Sequence, residues 1–217
     1  MERRAIFSPL EPIFEAADAP VPAAFRAQFL HSVDDPSKIV LEGVLHHVWH
    51  RPGWLRPLFL FLGQLHILVP DTGIEIPTTL EVVTSRLSDG RPIHVWRRTM
   101  HFPKVRSFPT TIVYDADRDR VVDLVGPRNA LHMVWRAKFR PPDTFTLDTD
   151  ACGIYLLGQV RWLPRWFWPW VLGTVRFVQR AAPVDSNRVD IEIVIRHPLL
   201  GDVFGYDGTF AVQRYEN

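Results

Sequence analysis

From residue 74 onward, apolar and polar side chains alternate with a period of two, and this pattern constrains the fold more than any other feature. Ile74, Ile76, Thr78, Leu80 and Val82 alternate with Glu75, Pro77, Thr79 and Glu81. Val189, Ile191, Ile193 and Ile195 alternate in the same way with Asp190, Glu192 and Arg196. Successive side chains of a strand point to opposite faces, so each run has one apolar face to cover. The stretch Ile93–Phe108 carries the largest such face: Trp96, Arg98, Met100 and Phe102 on one side, Val95, Arg97, Thr99 and His101 on the other. It is the central strand of one common interior.

Further strands are expected at Lys38–His50, Phe108–Tyr114, Val121–Val125, Leu131–Phe139, Phe145–Thr149, Gly153–Trp162, Thr174–Arg180 and Val203–Gln213. Within Lys38–His50, Ile39, Leu41, Leu45 and Trp49 share a face, with Gly43 as a bulge or kink between them. Gln64–Val69 is expected to run extended. Ser88-Asp89-Gly90, Asp115–Arg120 and Asp185-Ser186-Asn187 mark turns. Roughly nine or ten short strands at such spacings predict one antiparallel meander. A sheet that long curls, splits or closes, and closure removes its exposed edges. The fold class is therefore mainly β: a barrel or strongly curved sheet.

Helices are few. Leu10, Ile13, Phe14 and Ala17 form one short helical face, and Val21–Leu30 is a second helix with Pro22 in its first turn. Trp54–Leu62 is apolar almost all round and makes one short inserted helix. The chain of 217 residues is expected to form a single domain, with residues 1–36 packed on a β domain spanning 37–213.

Composition excludes several classes of function. With 25 basic and 24 acidic residues the net charge is +1, which gives no footprint for nucleic acid. A single cysteine, Cys152, excludes an internal disulfide and fits a reducing, cytoplasmic setting. The first twenty residues, MERRAIFSPLEPIFEAADAP, lack the apolar segment of a signal peptide. The longest apolar run without Asp, Glu, Lys or Arg is Pro57–Pro70, short of the roughly 20 residues needed to span a bilayer.

Several motifs together resemble a known family. Trp96-x-Arg98-x-Met100-x-Phe102, Phe108-x-Thr110, Asp123-x-x-Gly126, Arg196-His197-Pro198-Leu199-Leu200-Gly201 and Tyr206-x-Gly208 are similar to the bacterial domain-of-unknown-function family 4166. That family's pattern runs W-x-R-x-F, F-x-S, a return strand ending in Gly, H-P-L-x-G and Y-x-G. This sequence departs at Met100 for Phe and at Thr110 for Ser. The resemblance covers about Lys38 to Phe210 and implies no particular chemistry. Family members occur fused to a reductase-like nucleotide-binding domain. No G-x-G-x-x-G is present here, so if a dehydrogenase acts with this protein, the resemblance implies that this NAD(P)-dependent reductase-like partner is a separate chain.

Among candidate site residues Arg98 is the sharpest. A guanidinium on an apolar face needs an anion or several acceptors, because burying it alone is costly. It either anchors the anionic end of a ligand or pairs structurally with Asp207 or Glu42. His197, with Arg196 and Tyr206, forms an acid–base site or shapes a tight connection. His46, His47 and His50 look like a metal cluster, but strand geometry separates them, so no metal and no cofactor is expected. The run from Trp162 to Leu172 is the most aromatic in the chain. Trp166, Trp168 and Trp170, with Trp54 and Phe59, are expected at a membrane interface, at the mouth of a cavity, or packed against the outside of the sheet or another subunit.

The leading expectation is binding of an apolar or amphipathic, lipid-like small molecule in an internal cavity. Arg98, Trp96, Met100, Trp135, Tyr206 and His197 are its contacts, and the protein is cytoplasmic with peripheral membrane contact. Two other classes stand beside it. One is an enzyme on a hydrophobic substrate using His197, Tyr206 or Arg98. The other is an interaction domain for the reductase or a membrane partner.

Overall fold

The structure, a computed structural model, describes residues 8–35, 37–116, 118–182 and 187–216. The alternating segments become β1 (Lys38–His50), β2 (Gly73–Arg86), β3 (Pro92–Met100), β4 (Arg106–Asp115), β5 (Arg120–Val125), β6 (Leu131–Arg140), β7 (Thr144–Leu156), β8 (Gln159–Trp162), β9 (Thr174–Ala181), β10 (Arg188–His197) and β11 (Gly201–Tyr215). All pairings are antiparallel. β1 through β7 follow in order, β9, β10 and β11 continue the sheet, and β11 returns to β1. β7 pairs with both β6 and β9, so ten strands close a barrel, and β8 branches off the end of β7. The expected meander therefore closes into a barrel, with no free edge among its ten strands.

Four local expectations change. Ile93–Phe108 is two strands, β3 and β4, joined by residues 101–105, yet Phe102 stays buried with Trp96, Arg98 and Met100. The two segments expected across 145–162 redistribute. β7 runs through to Leu156 by leaving Asp150 unpaired opposite Val134 and Trp135, and the chain then reverses at Leu157-Gly158, both at positive φ. Gln64–Val69 is not a strand but bends under the helix before it. In β1 the bulge falls at His46, not Gly43, since Leu45 faces Gly208 and His47 faces Asp207. Parity flips there, which turns Val48 inward and Trp49 outward.

Gly43 and Gly208 serve close approach instead. A Cβ on Gly43 would lie 2.0 Å from the Thr209 carbonyl oxygen, and one on Gly208 2.3 Å from that of Val44. The barrel seam between β1 and β11 is thus drawn tight at two positions that admit no side chain. Of the expected turn Asp185-Ser186-Asn187, the first two residues lie outside the described residues.

Two short helices, α1 (Glu11–Glu15) and α2 (Ala23–Phe29), fill one end of the barrel. Phe14 stacks on Phe29 at 5.5 Å and on Phe145 at 5.4 Å, and Phe25 meets Phe139 at 6.1 Å. The plug also buries polar groups in pairs: Gln179 donates to Gln28 at 2.7 Å, and His94 lies 3.3 Å from the Ser8 hydroxyl. Burial lowers the His94 pKa to about 3, so its ring stays neutral. At the other end lie α3 (Arg56–Gln64) and α4 (Trp168–Leu172). Among the described residues no helix is long and apolar enough to cross a membrane.

Candidate ligand-binding site

Between the aromatic plug and the α3/α4 end, the barrel is hollow. The cavity holds about 440 Å³, within the range of small-molecule sites. Its walls are mostly aliphatic and aromatic. Trp96 divides it from the plug: the ring stacks on Phe29 of α2 at 6.0 Å and forms part of the cavity's inner end.

Next to Trp96 the wall turns polar. The β3 face expected from alternation places Arg98 inward, 8% exposed, with its guanidinium 5.2 Å from the Trp96 ring and 5.2 Å from the Phe108 ring. A cation between two aromatic faces is stabilised electrostatically, but its N–H groups still need acceptors. Among the described residues it makes one hydrogen bond, a long one of 3.4 Å to the Thr110 hydroxyl on β4. The next strand supplies Asp123, buried at 6% exposure. Burial lifts its pKa to about 6, while Arg98, Thr110 and Trp135 pull the other way. Asp123 Oδ1 and Trp135 Nε1 are both buried without a hydrogen-bond partner. Arg98, Thr110, Asp123 and Trp135 thus come from four consecutive strands, β3 to β6.

Tyr206 on β11 faces this group. It is buried, and Arg98 and Asp123 both act on its hydroxyl, which makes no hydrogen bond among the described residues. Burial is the larger effect and pushes its pKa up, so the phenol stays protonated. Neither carboxylate expected to pair with Arg98 does so. Asp207 faces outward, 3.3 Å from His47, and Glu42 is exposed and accepts from Gln213. Both lie on the outer face of their strands. Asp123 was missed as the carboxylate near Arg98, although its place between Val121 and Val125 signals an inward-facing acid.

The mouth is built by α3, α4 and the β10–β11 turn. His197 closes it: its Nε2–H donates to the Trp170 carbonyl at 2.9 Å, and its Nδ1 accepts from the Leu199 and Leu200 amides at 3.2 and 3.3 Å. Both ring nitrogens are engaged, which fixes the neutral tautomer and pins α4 to the turn. Gly201 ends that turn at φ +70°, as its left-handed conformation requires.

Exposed aromatics stand at this mouth, with Trp54 66% and Trp170 50% exposed, and Trp166, ahead of α4, is 72% exposed. Phe59 and Trp168, also expected at the surface, are buried. Phe59 lies on the inward side of α3 with Leu62 and meets the His50 ring, tilted, at 4.9 Å. Trp168 and Trp170 are two residues apart, about 200° around a helix, so burying one exposes the other. Met100 is buried but lies off the cavity, beside Leu80 and Phe210 around a void of about 20 Å³. Cys152 is a buried wall residue whose thiol burial pushes up to about 12, so it is no nucleophile near neutral pH. Of the three clustered histidines, His46 bonds Glu75 and Thr209 and His47 meets Asp207, on the outer face. Among the described residues no group of His, Cys, Asp or Glu is placed to hold a metal ion.

A family model described as "Domain of unknown function (DUF4166)" matches residues 21–210. The chain belongs to this family. The match starts ahead of β1 and takes in α2, so the plug helix is part of the DUF4166 unit. The chain is also similar to the "Uncharacterized protein YndH" of Bacillus subtilis (strain 168), 26% identical over 148 residues, which is 68% of this chain and 70% of that protein. The motif residues that carried the resemblance now have positions. Trp96, Arg98, Phe108, Thr110, Asp123 and Tyr206 converge on the inner end of the cavity. Thr110 keeps the hydroxyl that Ser would bring to Arg98. The histidine-to-glycine motif forms the mouth, and Gly208 holds the seam.

Proposed function

We propose that this DUF4166 barrel binds an amphipathic, lipid-like small molecule, with the tail against the apolar wall and the polar end at Arg98. The observation that carries this is the hollow half of the barrel. A packed interior leaves few voids larger than a water, yet here about 440 Å³ lies open beside buried polar atoms without partners. An empty cavity of this kind is unfavourable for stability alone. The exposed aromatic rim supports an entrance that meets the edge of a membrane, where Trp is favoured. A catalytic use of His197 has less support, because both its nitrogens are committed to the rim.

Native mass spectrometry of the purified protein, beside the same sample after organic extraction, tests this. A stoichiometric amphiphile in the extract is the expected result. Ile193→Trp, which fills the cavity from β10, should abolish its retention with the fold intact. No amphiphile in the extract, and no change in tryptophan fluorescence across a series of alcohols and acids, refutes the reading. The rim is tested separately: Trp54→Ser with Trp170→Ser should reduce co-sedimentation with phospholipid vesicles without lowering the melting temperature.

A further inference from the structure

The polar end of the cavity has two chemical sides. Arg98 offers N–H donors and a positive charge. Asp123 offers a buried, unpartnered acceptor oxygen on the same wall. We propose that the site selects a neutral head group that accepts from Arg98 and donates to Asp123, such as a primary alcohol or an undissociated acid, and that it admits an anion only with uptake of a proton by Asp123. This deepens the amphiphile reading and rests on it.

The geometry argues against a simple anion site. An anion placed on Arg98 also meets Asp123, and two like charges in one buried site repel strongly. An alcohol meets no such conflict: its oxygen accepts from the guanidinium and its O–H donates to Oδ1, leaving neither group unpaired. Trp135 Nε1 and the Tyr206 hydroxyl are the remaining groups able to turn toward the head.

The elements around Asp123 decide its titration. Arg98 on β3 and Tyr206 on β11 are the ionisable groups acting on it or acted on by it. Thr110 on β4 and Trp135 on β6 do not titrate. Cys152 on β7 lines the same wall and stays neutral, and His197 stands at the mouth. With Asp123 near a pKa of about 6, an anion needs a proton taken from solvent above that pH, whereas an alcohol does not.

The test uses two probes of equal tail length, decan-1-ol and decane-1-sulfonate, titrated into the full chain at pH 5 and pH 8. The sulfonate stays ionised throughout, so its pH dependence reports the protein. Decanol is expected to bind equally at both values. The sulfonate should bind at pH 5 and weaken about 100-fold by pH 8, as Asp123 ionises. Calorimetry at pH 7 in two buffers of different ionisation enthalpy should count close to one proton taken up per sulfonate and none per decanol. Asp123→Asn should make sulfonate binding independent of pH. Equal sulfonate affinity at both pH values, or a pH dependence that survives in Asp123→Asn, overturns the inference while leaving the amphiphile reading intact. Should that variant not fold, the wild-type proton count decides alone. If neither probe binds at either pH, both readings fall.

Discussion

Replacing Asp123 with Asn should stabilise this protein at pH 8, against the usual result for a buried acid. The reason is in the direction of its shift. Burial raises the Asp123 pKa from 3.8 to about 6, so the folded state holds a proton that the unfolded chain releases earlier. Stability contributed by the neutral acid is fully present below pH 3.8, falls as pH rises toward 6, and is gone above it. At 1.36 kcal/mol per unit, the loss approaches roughly 3 kcal/mol, with the partial relief from Arg98 already included. Asn mimics the neutral acid and lacks the titration. The difference between variant and wild type should therefore be near zero at pH 4 and grow to as much as ~3 kcal/mol at pH 8. For a chain of this size that raises the melting temperature by about 6–12 °C. His94 shifts the other way, to about 3, so its burial costs stability as pH falls below 6.5. That contribution is common to both proteins and cancels in the difference. Urea melts at pH 4, 6 and 8 measure it. A variant no more stable than wild type at pH 8, or a difference that does not change with pH, would falsify the assignment of Asp123 as a buried acid whose neighbours only partly offset its burial.

Three further outcomes follow from the same geometry. His197→Ala removes the one hydrogen bond that pins α4 to the β10–β11 turn, from His197 to the Trp170 carbonyl, together with two that brace the turn itself, so amide exchange across Trp168–Gly173 should accelerate at least tenfold while barrel strands stay protected; unchanged exchange there would refute the clamp. Gly208→Ala puts a Cβ about 2.3 Å from the Val44 carbonyl oxygen and should cost several kcal/mol or prevent folding, whereas Gly158→Ala, with nothing near its Cβ, should cost about 1 kcal/mol from backbone strain alone; equal stability of the two variants would contradict the seam. Cys152, buried and shifted up to about 12, should resist Ellman's reagent at pH 8 in the native protein and react fully in guanidinium; rapid native labelling would mean the cavity wall opens.

Strand periodicity made most of the barrel legible, because inward parity is a local property. Ile39, Leu41, Leu80, Val82, Trp96 and Val189 are all buried where alternation placed them. Parity failed where the count slipped by one. The bulge at His46 depends on the tight β1–β11 seam, a contact between residues more than 160 positions apart, so nothing local moved it from Gly43. The helices were legible as segments but not in their facing. Phe59 and Trp168 turned inward because a hollow barrel end lay beneath them, and a chain apolar on all sides carries no signal of which side that will be.

Arg98 was found because a charge on an apolar face is conspicuous in any strand. Asp123 sits on an equally apolar face, between Val121 and Val125, and was passed over because its partner lies two strands away. The pair is a property of strand order: β3, β4 and β5 must neighbour one another for Arg98, Thr110 and Asp123 to meet diagonally across the wall. The same order explains why the cavity stays open on that side. Three polar side chains on adjacent strands cannot be covered by the plug's phenylalanines without losing solvation, so the aromatic packing stops at Trp96. The hollow and its polar end are thus one feature, and filling either should perturb the other.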